Sequence, residues 1–495
     1  MLTIIQGCAT AQTRNYVQKH EKLSVSLLNG QPGLNRMQSK TGVSAKSFLG
    51  VNNLYSIDDD TAWNQQNLGQ KLSQLGIGAL RYPGGEVADN YDWETNSQER
   101  SNQTSAESSS AKSQRLDYLE FLKNAAQIGV SDIFFVVNVE GAFISPGNRD
   151  ENILRYAKKA ARWVDEVKRH GYKVKYWEIG NEAYLPGTTY PLSAEEYAQA
   201  LKVFYREMKQ VDPSIQIGAI GPDHTGKHGF VDGLTNEQQT YLRQKAEGKS
   251  GNTCQRKGKK GKDCVNLITQ SSQGKTTETP WWDTVIANAK NSFDFAVIHN
   301  YGLDRNLLKE SREIQNLRSY LNQNTGRSID LNITEWNIPP SKRVAINAED
   351  MPLDDAVKLG NYLAAGVSHA IYWPIRYKDD ERALLSFENS GITPVYKALV
   401  MISPVLQGEF VNQLSLEKDV YFLQTQSNQG MAALLVNRST EAKLVNATLN
   451  APSTVEINQL NTLTEKNTVM NEKAKQPSNI LELQLPPKSI TVLTY

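Results

Sequence analysis

The sequence predicts an α/β chain in two parts, a (β/α)8 barrel of the TIM type followed by an antiparallel β-sandwich. Three observations carry this. From about residue 47 to 406, short apolar segments alternate with longer segments of helical period. After Gln407 the pattern changes to short alternating segments. The chain has 495 residues, more than one ordinary domain holds.

The predicted barrel strands, in order, are Phe48–Leu54, Ala79–Pro83, Asp132–Val139, Val174–Gly180, Gln216–Gly221, Phe293–His299, Asp330–Thr334 and Ala370–Pro374. Each is rich in β-branched or aromatic residues, and a helical segment follows each. The clearest helix starts at Ser193, where Glu196 completes a capping box, and stops at Asp212-Pro213. A second runs from Glu151 to His170, before Gly171. An open doubly wound sheet is the rival architecture, but no GxGxxG follows the first strand. Two insertions, Thr95–Gln114 and His224–Thr279, fall after the second and fifth strands, on the side of a barrel where active sites are built. Asp419–Thr425, Met431–Val436, Lys443–Leu449, Ile480–Leu485 and Ser489–Leu493 read as sandwich strands. Lys22–Leu28 alternates too and is expected to pair with them. This gives a catalytic barrel over 45–406 and a sandwich built from 21–44 and 407–495.

Composition excludes several functions. Hydrophobic residues make up 39% and charged residues 22%, a globular balance. No apolar run approaches the ~18 residues that span a bilayer. With 54 Lys+Arg against 53 Asp+Glu, no global field favours nucleic acid. Six His, three Cys and no CxxC, HExxH or GxxxxGK[ST] leave no motif for a metal or a nucleotide.

Residues 1–20 read either as the remnant of a lipoprotein signal ending at Gly7-Cys8 or as a frayed terminus. Cys254 and Cys264 bracket a basic loop, either as a disulfide or as two thiols. Both clues point to export, to the periplasm, the outer surface or the medium. Lys245–Cys264 holds seven Lys/Arg against two acidic residues. It reads as a solvated loop or as a clamp for an anionic polysaccharide.

The chemistry rests on two carboxylates. Tyr176-Trp177-Glu178-Ile179-Gly180-Asn181-Glu182 ends the fourth strand, and Leu331-Asn332-Ile333-Thr334-Glu335-Trp336-Asn337 ends the seventh. Strands four and seven of a closed barrel face each other across its mouth. Two carboxylates ~5–5.5 Å apart are what a retaining glycosidase needs. Asn-Glu alone means nothing, since it recurs at Asn236-Glu237 and Asn471-Glu472 without a preceding buried strand.

On these motifs, over roughly residues 45–406, the chain resembles the clan A glycoside hydrolases. Their acid/base is the Glu of an Asn-Glu pair after strand four, and their nucleophile Glu ends strand seven. The resemblance implies Glu182 as acid/base, Glu335 as nucleophile and Asn181 as a ligand of the sugar 2-hydroxyl, with Trp336 carried over as a sugar contact. The sandwich looks like that of the arabinofuranosidase-like and heparanase-like members. Arg81-Tyr82-Pro83-Gly84-Gly85 is similar to the arabinofuranosidase second-strand motif, in which Arg81 would orient the nucleophile. Those enzymes usually carry Asn next, as a substrate ligand; this chain has Glu86, a departure in specificity. His299 and Tyr301, ending strand six, are expected to contact substrate or nucleophile. Trp373, ending strand eight, is expected as an aromatic floor. Glu140, ending strand three, faces the mouth without a role.

The expected function is a retaining O-glycoside hydrolase acting on a polysaccharide or oligosaccharide, without metal or organic cofactor. The alternatives are an exo-acting arabinofuranosidase or glucuronidase, a non-catalytic carbohydrate-binding protein, and an adhesin in which the sandwich carries the function.

Overall fold

A computed structural model describes residues 23–27, 48–98, 115–185, 190–226, 280–302, 306–338, 350–377, 383–449, 454–461, 469–475 and 480–495. The terminal segment 1–20, Cys254, Cys264, the basic loop and most of both insertions lie outside these residues.

Eight parallel strands close into a barrel in chain order. They are β2 (Leu49–Asn52), β3 (Ala79–Tyr82), β6 (Asp132–Val137), β7 (Tyr176–Ile179), β8 (Gln216–Ile220), β9 (Phe295–Asn300), β10 (Asp330–Trp336) and β11 (His369–Tyr372). Between the second and third lies a short hairpin, β4 (Tyr91–Asp92) with β5 (Ser97–Gln98), absent from the sequence expectation. A barrel strand packs on helices outside and on other strands inside, so almost every residue in it is buried and the runs are mostly apolar, broken at positions such as Asn52, Arg81, Glu178 and Glu335.

Rings fill the amino-terminal end of the barrel. Phe134 stacks on Tyr176 at 4.4 Å, and His369 packs edge-on against both. His369 Nδ1 pairs with Asn332 Oδ1 at 2.7 Å and Nε2 with Asp132 Oδ2 at 3.2 Å. With that end plugged, the opposite end is where a ligand can enter.

The outer helices start and stop where their chemistry dictates. Ser193 and Glu196 form the expected capping box, and the helix Ala194–Val211 ends at Asp212. Asp117 and Glu120 form a second box ahead of Tyr118–Gln127. Arg149–Arg169 carries Asp150 and Glu151 in its first turn and Lys168 and Arg169 in its last, complementing the helix dipole.

The sandwich has a six-stranded sheet, β12 (Glu409–Glu417), β13 (Val420–Ser427), β14 (Gly430–Asn437), β19 (Ser489–Thr494), β16 (Thr454–Asn461) and β17 (Val469–Lys475), in that spatial order. Facing it is a three-stranded sheet of β1 (Leu23–Leu27), β15 (Lys443–Leu449) and β18 (Ile480–Leu485), with β1 parallel to β15. The alternation in Ile480–Leu485 places Leu481, Leu483 and Leu485 in a core with Val25, Leu27, Phe422 and Leu435. β12, β16 and β17 were not expected from sequence.

Helix Met351–Ala364 is buried along nearly its whole length between barrel and sandwich. Arg438 of the sandwich pairs with Asp354 at 2.8 Å, and Gln413 Nε2 donates to Asn361 Oδ1 at 2.5 Å.

Candidate active site

The mouth is built around one buried guanidinium. Arg81, the third residue of β3, has a side chain that is 0% exposed. Burying a charge is costly unless it is paired, and Arg81 is paired on every side. Nε donates to Glu178 at 3.0–3.2 Å, Nη1 to Asn52 Oδ1 at 3.0 Å and Glu335 Oε1 at 2.6 Å, and Nη2 to Asn181 Oδ1 at 2.9 Å. Asn52 in turn donates to the carbonyls of Thr334 and Tyr372 at 2.9 and 3.1 Å. Arg81 thus ties strands one, two, four and seven together at their carboxyl ends.

Glu335 is 5% exposed. Besides Arg81 it accepts from the Tyr301 hydroxyl at 2.6 Å on Oε2, and His299 Nδ1 lies 3.5 Å from the same oxygen. Burial pushes its carboxyl upward. The charges of His299 and Arg81 and the hydrogen bonds from Tyr301 and Arg81 outweigh this and hold it below the ordinary Glu value.

Glu182 follows the sharp turn at Gly180, where φ is +88° and a Cβ would meet Val139 at 2.7 Å, so only glycine fits. Glu182 itself has φ +32°, a conformation uncommon outside glycine. Its side chain is 18% exposed, more open than Glu335, and bonds His299 Nδ1 at 2.9 Å. His299 is buried, which lowers its pKa, but the two flanking carboxylates win and raise it. Its Nε2 meets Thr334 Oγ1 at 3.3 Å.

One oxygen of Glu182, one of Glu335 and a ring nitrogen of His299 all lie within 4.8 Å of one another. That spacing could accept a divalent cation. The direct Nδ1–Oε1 contact also makes the three a unit for sharing a proton.

Asn181 is buried, and its Nδ2 has no hydrogen-bond partner among the described residues. Trp373 is half-buried and lies against Gly85, whose φ of +55° and missing Cβ leave room for the ring. Glu86 stands exposed on the rim. Desolvation, then the charges of Glu182 and Glu335, raise its pKa.

Trp336 is a correction. Expected as a sugar contact, it is fully buried and packs edge-to-face on Tyr362 and Tyr372 at 5.7 and 4.7 Å. The pairing of β10 with β9 slips between Ile333 and Glu335. The slip lets Thr334 and Glu335 both reach the interior groups, and it turns Trp336 towards the helices. In a regular strand Trp336 would share the face of Thr334.

Sequence reasoning missed Glu178, Asn52 and Thr334, which support the pair from below. The available signal was a charge or amide inside an otherwise apolar barrel strand. Asp89 was missed too. It is buried, and neither carboxylate oxygen has a hydrogen-bond partner among the described residues. Burial, then Glu140, Glu182 and other nearby carboxylates, push it well above the usual Asp range. Glu140 is buried and accepts from the Tyr190 backbone N–H at 2.7 Å, so it braces the loop after strand four.

Residues 71–253 match the model of the alpha-L-arabinofuranosidase 1 domain. The intracellular exo-alpha-(1->5)-L-arabinofuranosidase 1 of Bacillus subtilis is 27% identical over 170 residues, covering 32% of this chain and 33% of that protein. The probable alpha-L-arabinofuranosidase C of Aspergillus niger is 25% identical over 186 residues, 35% of each chain. The matched part spans about a third of the length of these curated relatives. Among solved structures, an alpha-L-arabinofuranosidase from Thermotoga maritima covers 92% of this chain and 97% of its own, with TM-score 0.62 and 18% identity. A GH30 endoxylanase from Clostridium papyrosolvens covers 95% and 99%, with TM-score 0.57 and 14% identity. With its closed barrel and its sandwich, this chain has the arabinofuranosidase-like fold of the clan A glycoside hydrolases.

Proposed function

We propose that this chain is a retaining glycoside hydrolase that cleaves a polysaccharide or oligosaccharide at a neutral sugar, with Glu335 as nucleophile and Glu182 as acid/base. The observation that carries the reading is the pair of carboxylate oxygens within 4.8 Å across the mouth. Retaining enzymes hold their carboxyl groups ~5–5.5 Å apart, whereas inverting ones leave ~6.5–9.5 Å for a water. The environments divide the roles. Glu335 is pinned by Arg81 and Tyr301 and held ionised, as an attacking carboxylate must be. Glu182, more open and bonded to His299, is placed to pass a proton.

In the first step a Glu335 oxygen bonds to the anomeric carbon while the glycosidic C–O bond breaks. The proton of Glu182 goes to the leaving oxygen. In the second, Glu182 takes a proton from water, the water oxygen bonds to the anomeric carbon, and the ester to Glu335 breaks. Asn181 Nδ2, which has no hydrogen-bond partner among the described residues, is available to a sugar hydroxyl. Arg81 is fully buried and bonded to Glu178, Glu335, Asn52 and Asn181, which keeps a uronate from that cation and weighs against a glucuronidase.

A second reading, an exo-acting arabinofuranosidase, is favoured by the family match over residues 71–253. Glu86 at the rim weighs against it, because an ionised Glu only accepts hydrogen bonds where Asn also donates. Export, to which Gly7-Cys8 and the Cys254–Cys264 pair point, belongs to the same proposal and is tested by fractionating the native cells.

Glu335→Ala should be inactive on every substrate. Glu182→Ala should retain activity on an activated aryl glycoside and be rescued by azide, giving a glycosyl azide. The reverse pattern would exchange the two roles, and full activity in either variant would end the reading.

A further inference from the structure

Lys358 sits in helix Met351–Ala364, with only 2% of its side chain exposed. A lysine so deeply buried needs partners for its charge. Its three ammonium donors have three acceptors: Asn300 Oδ1, the Gly302 carbonyl at 2.6 Å, and Glu310 Oε1 at 2.5 Å. Asn300 is gripped further. The Tyr362 hydroxyl donates to its Oδ1 at 2.8 Å, and its Nδ2 donates to Asp223 Oδ2 at 2.8 Å, in the loop after the fifth barrel strand. Glu310 is bonded by Asn361 as well as by Lys358. Asn361 in turn accepts from Gln413 of the sandwich.

Asn300 and Gly302 are the two neighbours of Tyr301. Tyr301 is only half-buried, yet its hydroxyl meets Glu335 Oε2 at 2.6 Å. At the end of β9 the ladder no longer holds the backbone. The ammonium group replaces it, bonding one side chain before Tyr301 and one carbonyl after it. We propose that Lys358 is a positioning residue for Glu335: by clasping Asn300 and Gly302 it holds the Tyr301 hydroxyl on the carboxylate that attacks the sugar. The inference rests on the reading of Glu335 as nucleophile.

The test separates positioning from folding. Lys358→Met alone leaves Glu310 as a buried carboxylate without its cation, so loss of fold would explain any loss of activity. The double variant Lys358→Met/Glu310→Gln removes both charges. It should recover the melting temperature lost by the single variant while kcat stays roughly 10- to 100-fold down, the range set by losing a hydrogen bond to a charged group. KM should change little, and the acid limb of kcat/KM should move to higher pH. In a Tyr301→Phe background the same double change should cost less than about twofold more, because both act through one hydroxyl. Lys358→Arg keeps the charge against Glu310 with a different donor geometry. It should show the same loss of kcat, and it supplies a folded chain if the double variant has none. Wild-type kcat and pH profile in the folded variants would overturn the proposal. So would a loss that multiplies in full with Tyr301→Phe.

A crystal structure of the folded variant without substrate keeps this outcome distinct from failure of the proposed hydrolase. Tyr301 displaced from Glu335 supports the clasp even if no glycoside is turned over. Tyr301 unmoved ends it even if the hydrolase reading stands.

Discussion

Replacing Tyr301 by Phe removes one hydroxyl and nothing else from the ring. That hydroxyl donates to Glu335 at 2.6 Å, and Glu335 is 5% exposed, so water replaces it poorly. A hydrogen bond to a charged group contributes about 1.5–3 kcal/mol. One pKa unit corresponds to about 1.36 kcal/mol, so the Glu335 carboxyl should rise by about one to two units. The sign follows from the bond favouring the ionised form. Without it the carboxylate is harder to form, and activity is lost at a higher pH as the pH falls. The assay is kcat/KM against pH, whose acid limb reports the free enzyme's nucleophile. The limb of the variant should move up by that amount, while His299 and Arg81 still keep Glu335 ionised at neutral pH. An acid limb unchanged within a few tenths of a unit would show that Tyr301 does not set the charge state of Glu335.

Glu86→Asn should raise turnover of an aryl α-L-arabinofuranoside at least about tenfold from a very low wild-type rate, since one good polar contact is worth that much. An efficient wild-type reaction would show that Glu86 sets no specificity. Trp336→Ala should cost about 3–5 kcal/mol in urea melts, as a buried core Trp does. Trp373→Ala should leave stability nearly unchanged and raise KM several-fold, as a sugar platform does. Asp355 is fully buried; burial, and then Asp354, lift its pKa to about 8. The folded chain therefore holds that proton more tightly than the unfolded chain. Stability from this group is present below about pH 4 and falls as pH rises towards 8. Asp355→Asn should remove this fall and melt higher than wild type at pH 8 in calorimetry.

The barrel was legible because its strands are buried on both faces, so all eight appear as mainly apolar runs between helical segments. The sandwich was less so. Glu409–Glu417 is an edge strand of exposed and half-buried residues that do not alternate, and its place is set by pairing with Val420–Ser427 rather than by its own pattern. Thr454–Asn461 and Val469–Lys475 are similarly polar in sequence and gain register from each other and from Ser489–Thr494. In the site, Glu182 and Glu335 could be read because each ends an apolar strand at a fixed place in the barrel order. Trp336 misled because the slip beside Thr334 inverts the inward face and leaves no mark in the residue types. Glu178 and Asn52 showed only as polar residues inside apolar strands, and Lys358 only as one charge in a helix. Their roles depend on partners distant in sequence. Arg81 is 97 residues from Glu178 and 254 from Glu335, and no local pattern joins such positions.

In the proposed reaction Glu335 attacks the sugar. Incubation with an activated 2-deoxy-2-fluoro glycoside of a turned-over substrate slows the second step more than the first and traps the ester. Intact-mass analysis followed by peptide mapping should then show one added fluorosugar, carried by the peptide holding Glu335. A label on Glu182, or turnover with no covalent adduct and an inverted anomeric product, would rule out Glu335 as the nucleophile.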